Sequence, residues 1–176
     1  INEKNGYTYH NIDLTDEIKI SDFILIHKPD IVINPAAMTN VDLCEREKES
    51  CWNTNVMAVR YIVDALEELR SQGLEPHLIH FSTDFVFDGL HGPYKETDKP
   101  NPLSYYAESK LVSERIVLNC KLKSAVVRTI IIYGVVDGNQ RSNLVLWVKN
   151  ALTNGKDINV ITDQYRSPTL AEDLAE

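Results

Sequence analysis

Residues 79–110 read IHFSTDFVFDGLHGPYKETDKPNPLSYYAESK. The stretch opens on the end of an apolar run, LIHF, which stops at Ser82, Thr83 and Asp84. It closes on Tyr106 and Lys110, four residues apart and therefore on one face of a predicted helix. Pro93, Pro100 and Pro102 mark a long irregular loop between the two, and Pro102 ends any earlier element just ahead of the helix. A short apolar strand, a loop and a helix make half of a βαβ unit. The rest of the chain decides whether that unit repeats.

It does. Apolar runs bounded by turn residues predict strands at 31–34 (IVIN), 78–81 (LIHF), 125–132 (AVVRTIII) and 158–161 (INVI), with a weaker one at 7–9. Amphipathic patterns predict helices at 18–27, 51–71, 104–119 and 143–153. Strands alternating with helices of ten to twenty residues indicate an α/β fold with a parallel sheet. The strands are apolar throughout, as parallel strands covered on both faces are.

The chain has 176 residues, 43% hydrophobic and 25% charged, enough for one domain with a sizeable core. A net charge of −8 without a basic stripe argues against a nucleic-acid surface. No apolar run has membrane-spanning length, so neither nucleic acid nor membrane is an expected partner, and a cytoplasmic location is expected. Cys44, Cys51 and Cys120 lack any C-x-x-C spacing and read as buried free thiols in a reducing compartment. The five histidines show no metal-ligand spacing, so no metal is expected. The chain starts at Ile1 without Met and stops inside a helical pattern, LAEDLAE, which reads as a fragment.

In open α/β sheets the site lies at the carboxyl ends of the strands. That rule selects Pro35-Ala36-Ala37-Met38-Thr39, Ser82-Thr83-Asp84 and Tyr133-Gly134. Small residues let a ligand approach the backbone, and hydroxyls supply hydrogen bonds. A strand-end hydroxyl facing a Tyr-x-x-x-Lys pair is the chemistry of hydride transfer to a carbonyl. Chance alone places about 0.5 such pairs in a chain of this composition, so the pair needs its context. An unperturbed Tyr titrates near ~10, and a neighbouring ammonium is expected to lower Tyr106 so that it can deliver a proton at neutral pH. Tyr105 is the rival, but its fourth neighbour is Ser109, which supplies no cation.

Seven segments then carry a family resemblance: DLTD (13–16), PDIVINPAAMTNVDLCE (29–45), NV (55–56), FSTDFVFDG (81–89), PYKETDKPNPLSYYAESKLVSE (93–114), RTIIIYG (128–134) and DQYRSPTLAEDLA (163–175). In these, and in their order, the chain resembles the extended short-chain dehydrogenase/reductases, and more narrowly their dTDP-4-dehydrorhamnose reductase branch. The resemblance implies a Rossmann-like doubly wound sheet, with the start of a substrate-binding part near 134–176. It implies reduction of a 4-keto nucleotide sugar with NADP(H) or NAD(H). By motif, Tyr106 is the proton donor, Lys110 its partner and Thr83 the hydroxyl that polarises the carbonyl. Asn55 matches the asparagine of the family's proton relay. Asp13 and Leu14 would lie beside the adenine, and Ala36, Ala37, Thr39 and Ser82 would line the cofactor. Asp84, Phe85, Ile131 and Arg166 would face the substrate, and a homodimer is compatible with the family.

Two departures stand out. The Gly-rich phosphate loop and its strand are absent, and would lie ahead of Ile1. The branch carries an aromatic where Ile131 sits and a Tyr where Phe85 sits, which leaves the sugar open. The same scaffold also serves a non-catalytic cofactor-binding subunit resembling the methionine adenosyltransferase beta subunit, and nucleotide-sugar epimerases. Plainer roles compete at several positions. Asp13 or Thr15 could cap a helix, Asn55 could tie its helix to a neighbouring strand, and Arg166 could be a solvated loop residue rather than a phosphate ligand.

Overall fold

The computed structural model describes residues 2–4, 6–134, 144–160 and 162–176. The chain divides into two compact units, Ile1–Arg128 and Thr129–Glu176.

The first unit begins with β1 (Asn2–Lys4) and β2 (Tyr7–Tyr9), an antiparallel hairpin in which Lys4 pairs with Tyr7 and Asn2 with Tyr9. Gly6 turns it at φ +80°, a backbone region that favours glycine. Helix α1 (Glu17–His27) follows, capped by Asp16, whose carboxylate accepts from Lys19 N. It turns Ile20 and Ile24 into the core and ends at Lys28 in the left-handed region.

β3 (Ile31–Asn34) comes next, with the bounds expected of IVIN. It pairs in parallel with β4 (His77–Thr83), in the register Ile31–His77 through Asn34–His80. Between them run α2 (Val41–Arg46), α3 (Lys48–Trp52), a π turn at Asn53–Met57 and α4 (Ala58–Ser71). After β4 come a 3₁₀ turn at Asp84–Val86, helix α5 (Tyr105–Leu118) and β5 (Lys123–Thr129). The sheet order is β3-β4-β5, with β4 in the middle. The main core joins Ile20 and Ile24 of α1, Val59, Ile62, Val63, Leu66 and Leu69 of α4, Leu78 of β4 and Val117 of α5. β3 is an edge of this sheet, and its Ile31 and Ile33 are exposed.

The continuous helix expected over 51–71 is interrupted. A π turn inserts at Asn53–Met57 because Asn55 reaches out to the backbone beyond β3, and such insertions mark sites where a helix must re-aim a side chain. The strand expected over 125–132 ends at Thr129.

In the second unit, β6 (Ile132–Tyr133) pairs in parallel with β7 (Thr169–Leu170). Helix α6 (Leu144–Thr153) and a short α7 (Ala171–Ala175) complete it. Gly134 packs against α7: a Cβ there would stand 3.2 Å from that of Ala171, so a larger residue would need α7 to give by a few tenths of an ångström. The strand expected at 158–161 does not form over 158–160, and Ile161 lies outside the described residues. Val160 is exposed and has no ladder partner among the described strands, so the apolar pattern has nothing to pair with. Among the described residues, no helix is long and apolar enough to cross a membrane.

Candidate active site

The site is assembled at the carboxyl end of β4 and the start of α5. Ser104 caps α5, accepting from Ala107 N at 3.2 Å. Tyr105 N donates to Glu45 Oε1 of α2 at 2.7 Å, which fixes the helix entrance. The next residue, Tyr106, then lies against the end of β4, with its ring edge-on to Phe85 at 6.1 Å. Thr83, Tyr106 and Lys110 are all buried, at 7%, 8% and 3% exposure. Thr83 Oγ1 accepts from Phe85 N at 3.2 Å and donates to Asp84 Oδ1 at 3.2 Å, and its hydroxyl is near enough to the Tyr106 phenol to act on its pKa. Ser82 is buried beside it.

Burial is the largest influence on Tyr106 and raises its pKa, with the Thr83 hydroxyl pulling the other way. The lowering expected from Lys110 is not seen: burial raises the phenol, and the opposing pull comes from the Thr83 hydroxyl instead. Tyr106 is therefore a protonated phenol at neutral pH, which is the form a proton donor needs. Burial also brings Lys110 down to about 8, against the attraction of Glu114 one turn further on.

Asn55 is fully buried and heavily engaged. Its Oδ1 accepts from Met38 N at 2.7 Å, and its Nδ2 donates to Met38 O at 3.1 Å and to Ser109 Oγ at 2.9 Å. Ser109 in turn donates to Tyr106 O at 2.7 Å. Asn55 thus clamps the loop after β3 to the Tyr106 helix. Its tie to Tyr106 runs through Ser109. Cys44 and Cys51 are buried against the same cluster, and all three cysteines are free thiols.

Along the β3 edge lies a groove of about 340 Å³, lined by Leu14, Phe23, Ile33, Asn34, Pro35 and Ala36 among others. Leu14 and Ala36, both assigned to the cofactor from sequence, share this groove, and Ala37 follows half-buried. Thr39 is exposed at the end of the loop. Asp13 bonds Thr15 through N (2.9 Å) and Oγ1 (2.7 Å), which lowers its pKa; the cap of α1 is Asp16 instead. Ile131 and Arg166 belong to the second unit, where both are half-buried; Ile131 O accepts from Thr169 N at 2.8 Å.

Two features are not apparent from the sequence. Glu114, 1% exposed, holds Arg128 in a two-pronged pair of 2.9 and 2.7 Å. Arg128 also lies 5.0 Å from the Phe87 ring, which stacks on Tyr94 at 4.3 Å. Asp88 accepts from Leu90 N, Tyr94 Oη and Asn101 Nδ2, so the Pro-rich loop is an organised flap. The signal available was Glu114 at helix spacing from Lys110 on an inward face. Among the described residues, no group of three His, Cys, Asp or Glu could hold a metal.

The chain matches the RmlD substrate binding domain over residues 2–176. It is 36% identical to a dTDP-4-dehydrorhamnose reductase of Aggregatibacter actinomycetemcomitans over 95% of this chain and 54% of that protein. It is 32% identical to a methionine adenosyltransferase 2 subunit beta of Danio rerio over 93% of this chain and 48% of that protein. A crystal structure of dTDP-4-dehydrorhamnose reductase from Bacillus anthracis in complex with NADP superposes with a TM-score of 0.82 at 31% identity, over 93% of this chain and 55% of that one. The chain spans about half the length of the relatives it matches. With the family match running nearly end to end over a Rossmann-like parallel sheet, the chain belongs to the RmlD substrate binding domain family.

Proposed function

We propose that the protein containing this chain reduces the 4-keto group of a nucleotide sugar with NADPH or NADH. The observation that carries this is the Thr83–Tyr106 hydroxyl pair at the end of a parallel strand, with Lys110 one helical turn beyond. Leu14, Ala36 and Ala37 would hold the cofactor along the β3 groove, and Lys110 would bond its ribose. The cofactor's nicotinamide, when bound, supplies the hydride to the carbonyl carbon. Thr83 donates a hydrogen bond to the carbonyl oxygen as charge develops on it. Tyr106, held protonated by burial, passes its proton to that oxygen. The Lys110 ammonium then balances the phenolate left behind. Asn55 keeps Tyr106 and the cofactor loop in register.

The sugar-facing assignments of Asp84, Phe85, Ile131 and Arg166 extend this reading. A cytoplasmic setting accords with three free thiols. Purified protein supplied with dTDP-4-dehydrorhamnose should consume NADPH; well-folded protein inactive on this and other 4-keto nucleotide sugars refutes the reading. A second reading has two observations in its favour, the 32% identity to a methionine adenosyltransferase 2 subunit beta and Ile131 in place of an aromatic. It is a cofactor-binding subunit without turnover. Stoichiometric recovery of an enzyme partner, with no reductase activity, would establish it.

A further inference from the structure

Behind Lys110 runs a buried polar chain that the chemistry above does not use. Asn34 ends β3, His80 sits in β4 and Ser113 lies on α5, none more than 5% exposed. Ala36 N donates to Asn34 Oδ1 at 3.2 Å and so fixes which end of that carboxamide faces β4. The amide nitrogen is left to donate to His80 Nδ1 at 3.3 Å. A neutral imidazole that accepts at Nδ1 carries its proton on Nε2. Nε2 lies 3.0 Å from Ser113 Oγ, whose own proton goes to Lys110 O at 2.7 Å. Donation therefore runs one way, from Asn34 through His80 and Ser113 to the backbone of Lys110. Burial, reinforced by Lys110, brings His80 down to about 3, so the ring stays neutral.

Lys110 Nζ lies 3.4 Å from the same Nε2. In this tautomer Nε2 has no lone pair to offer an ammonium, so the contact sets one donor against another.

We propose that His80 is a positioning residue for Lys110: its Nε2–H occupies Ser113 Oγ, denies the ammonium an acceptor on the strand side, and turns Nζ toward the cleft beside Tyr106. The proposal rests on the reductase reading, since only there does the direction of Nζ matter. The titratable and charged groups around Lys110 are Tyr106 and Glu114 on α5, His80 on β4, and Arg128 on β5 behind Glu114. Asp84, Cys44 and Cys51 face Tyr106. Without the imidazole, a lone pair of Ser113 Oγ is released as an acceptor, and the ammonium is drawn back and stabilised there.

The test compares His80→Leu, which removes the donor, with His80→Gln, which returns an N–H to the Nε2 position. The ¹³Cε titration of Lys110 is followed by NMR in the intact protein, beside the pH profile of kcat/KM with NADPH and dTDP-4-dehydrorhamnose. Wild type and His80→Gln should share a Lys110 midpoint near about 8. His80→Leu should raise that midpoint by roughly one pH unit and lower kcat roughly 10- to 100-fold with little change in KM. A folded His80→Leu protein with the midpoint unmoved overturns the proposal, and so does an Nδ1–H tautomer in the ¹⁵N spectrum of His80. Should His80→Leu fail to fold, the tautomer and the His80→Gln midpoint decide. Should wild type reduce no 4-keto sugar, the reductase reading falls, while the tautomer and the midpoints still decide whether His80 controls Lys110.

Discussion

Replacing Lys110 by Met should make the protein more stable while removing its activity. Lys110 is 3% exposed, and burial brings its pKa from 10.5 to about 8. A tenfold change in proton affinity is worth about 1.36 kcal/mol of preference between the two protonation states, so the buried ammonium costs roughly 3 kcal/mol at neutral pH. Between pH 8 and 10.5 the unfolded chain still binds the proton that the folded chain has released, so the contribution of Lys110 to stability rises with pH across that window. Below pH 8 both states hold the proton, and the full penalty is present. Met has a similar length and no charge, and Glu114 keeps its Arg128 partner. Urea unfolding of the two proteins at matched pH should therefore show Lys110→Met ahead by roughly 1–3 kcal/mol at pH 7. The advantage should shrink toward zero near pH 10.5, and the comparison cancels every other titrating group. A variant less stable than wild type at pH 7, or a difference flat from about pH 7 to 10, refutes the reasoning.

Asn55→Ala should cost roughly 2–4 kcal/mol, because it leaves the Met38 N–H and C=O without their buried partner. The loss is read by urea unfolding, and NADPH affinity should fall with it because the β3 loop is released. Glu114→Gln should cost roughly 3 kcal/mol by stripping Arg128 of its carboxylate. It should also lower the Lys110 NMR midpoint below about 8, since Glu114 is what raises it.

Much of this was legible in the chain. IVIN read as a short strand and is one, although Ile31 and Ile33 are exposed on the sheet edge, and the helix expected from 104 begins at Tyr105. Residues fixed by local pattern or by motif, such as Thr83, Tyr106 and Lys110, fell where the pattern put them. What was not legible depends on long-range partners. The π turn at Asn55 exists because of Met38, seventeen positions away. The 158–161 run lacks a ladder neighbour, which no local pattern reports. The direction in which the Tyr106 pKa moves is set first by burial, which spacing along a helix does not contain. His80 read as one histidine among five without metal spacing; its role appears only once Asn34 and Ser113 stand on either side of it.

The central claim, that Tyr106 is the proton donor of a carbonyl reduction, is tested most directly by NADPH oxidation with dTDP-4-dehydrorhamnose in wild type and Tyr106→Phe. Wild type should turn over, and Tyr106→Phe should bind NADPH as before while kcat falls roughly 10²-fold or more. Turnover that survives the loss of the phenol would contradict the account.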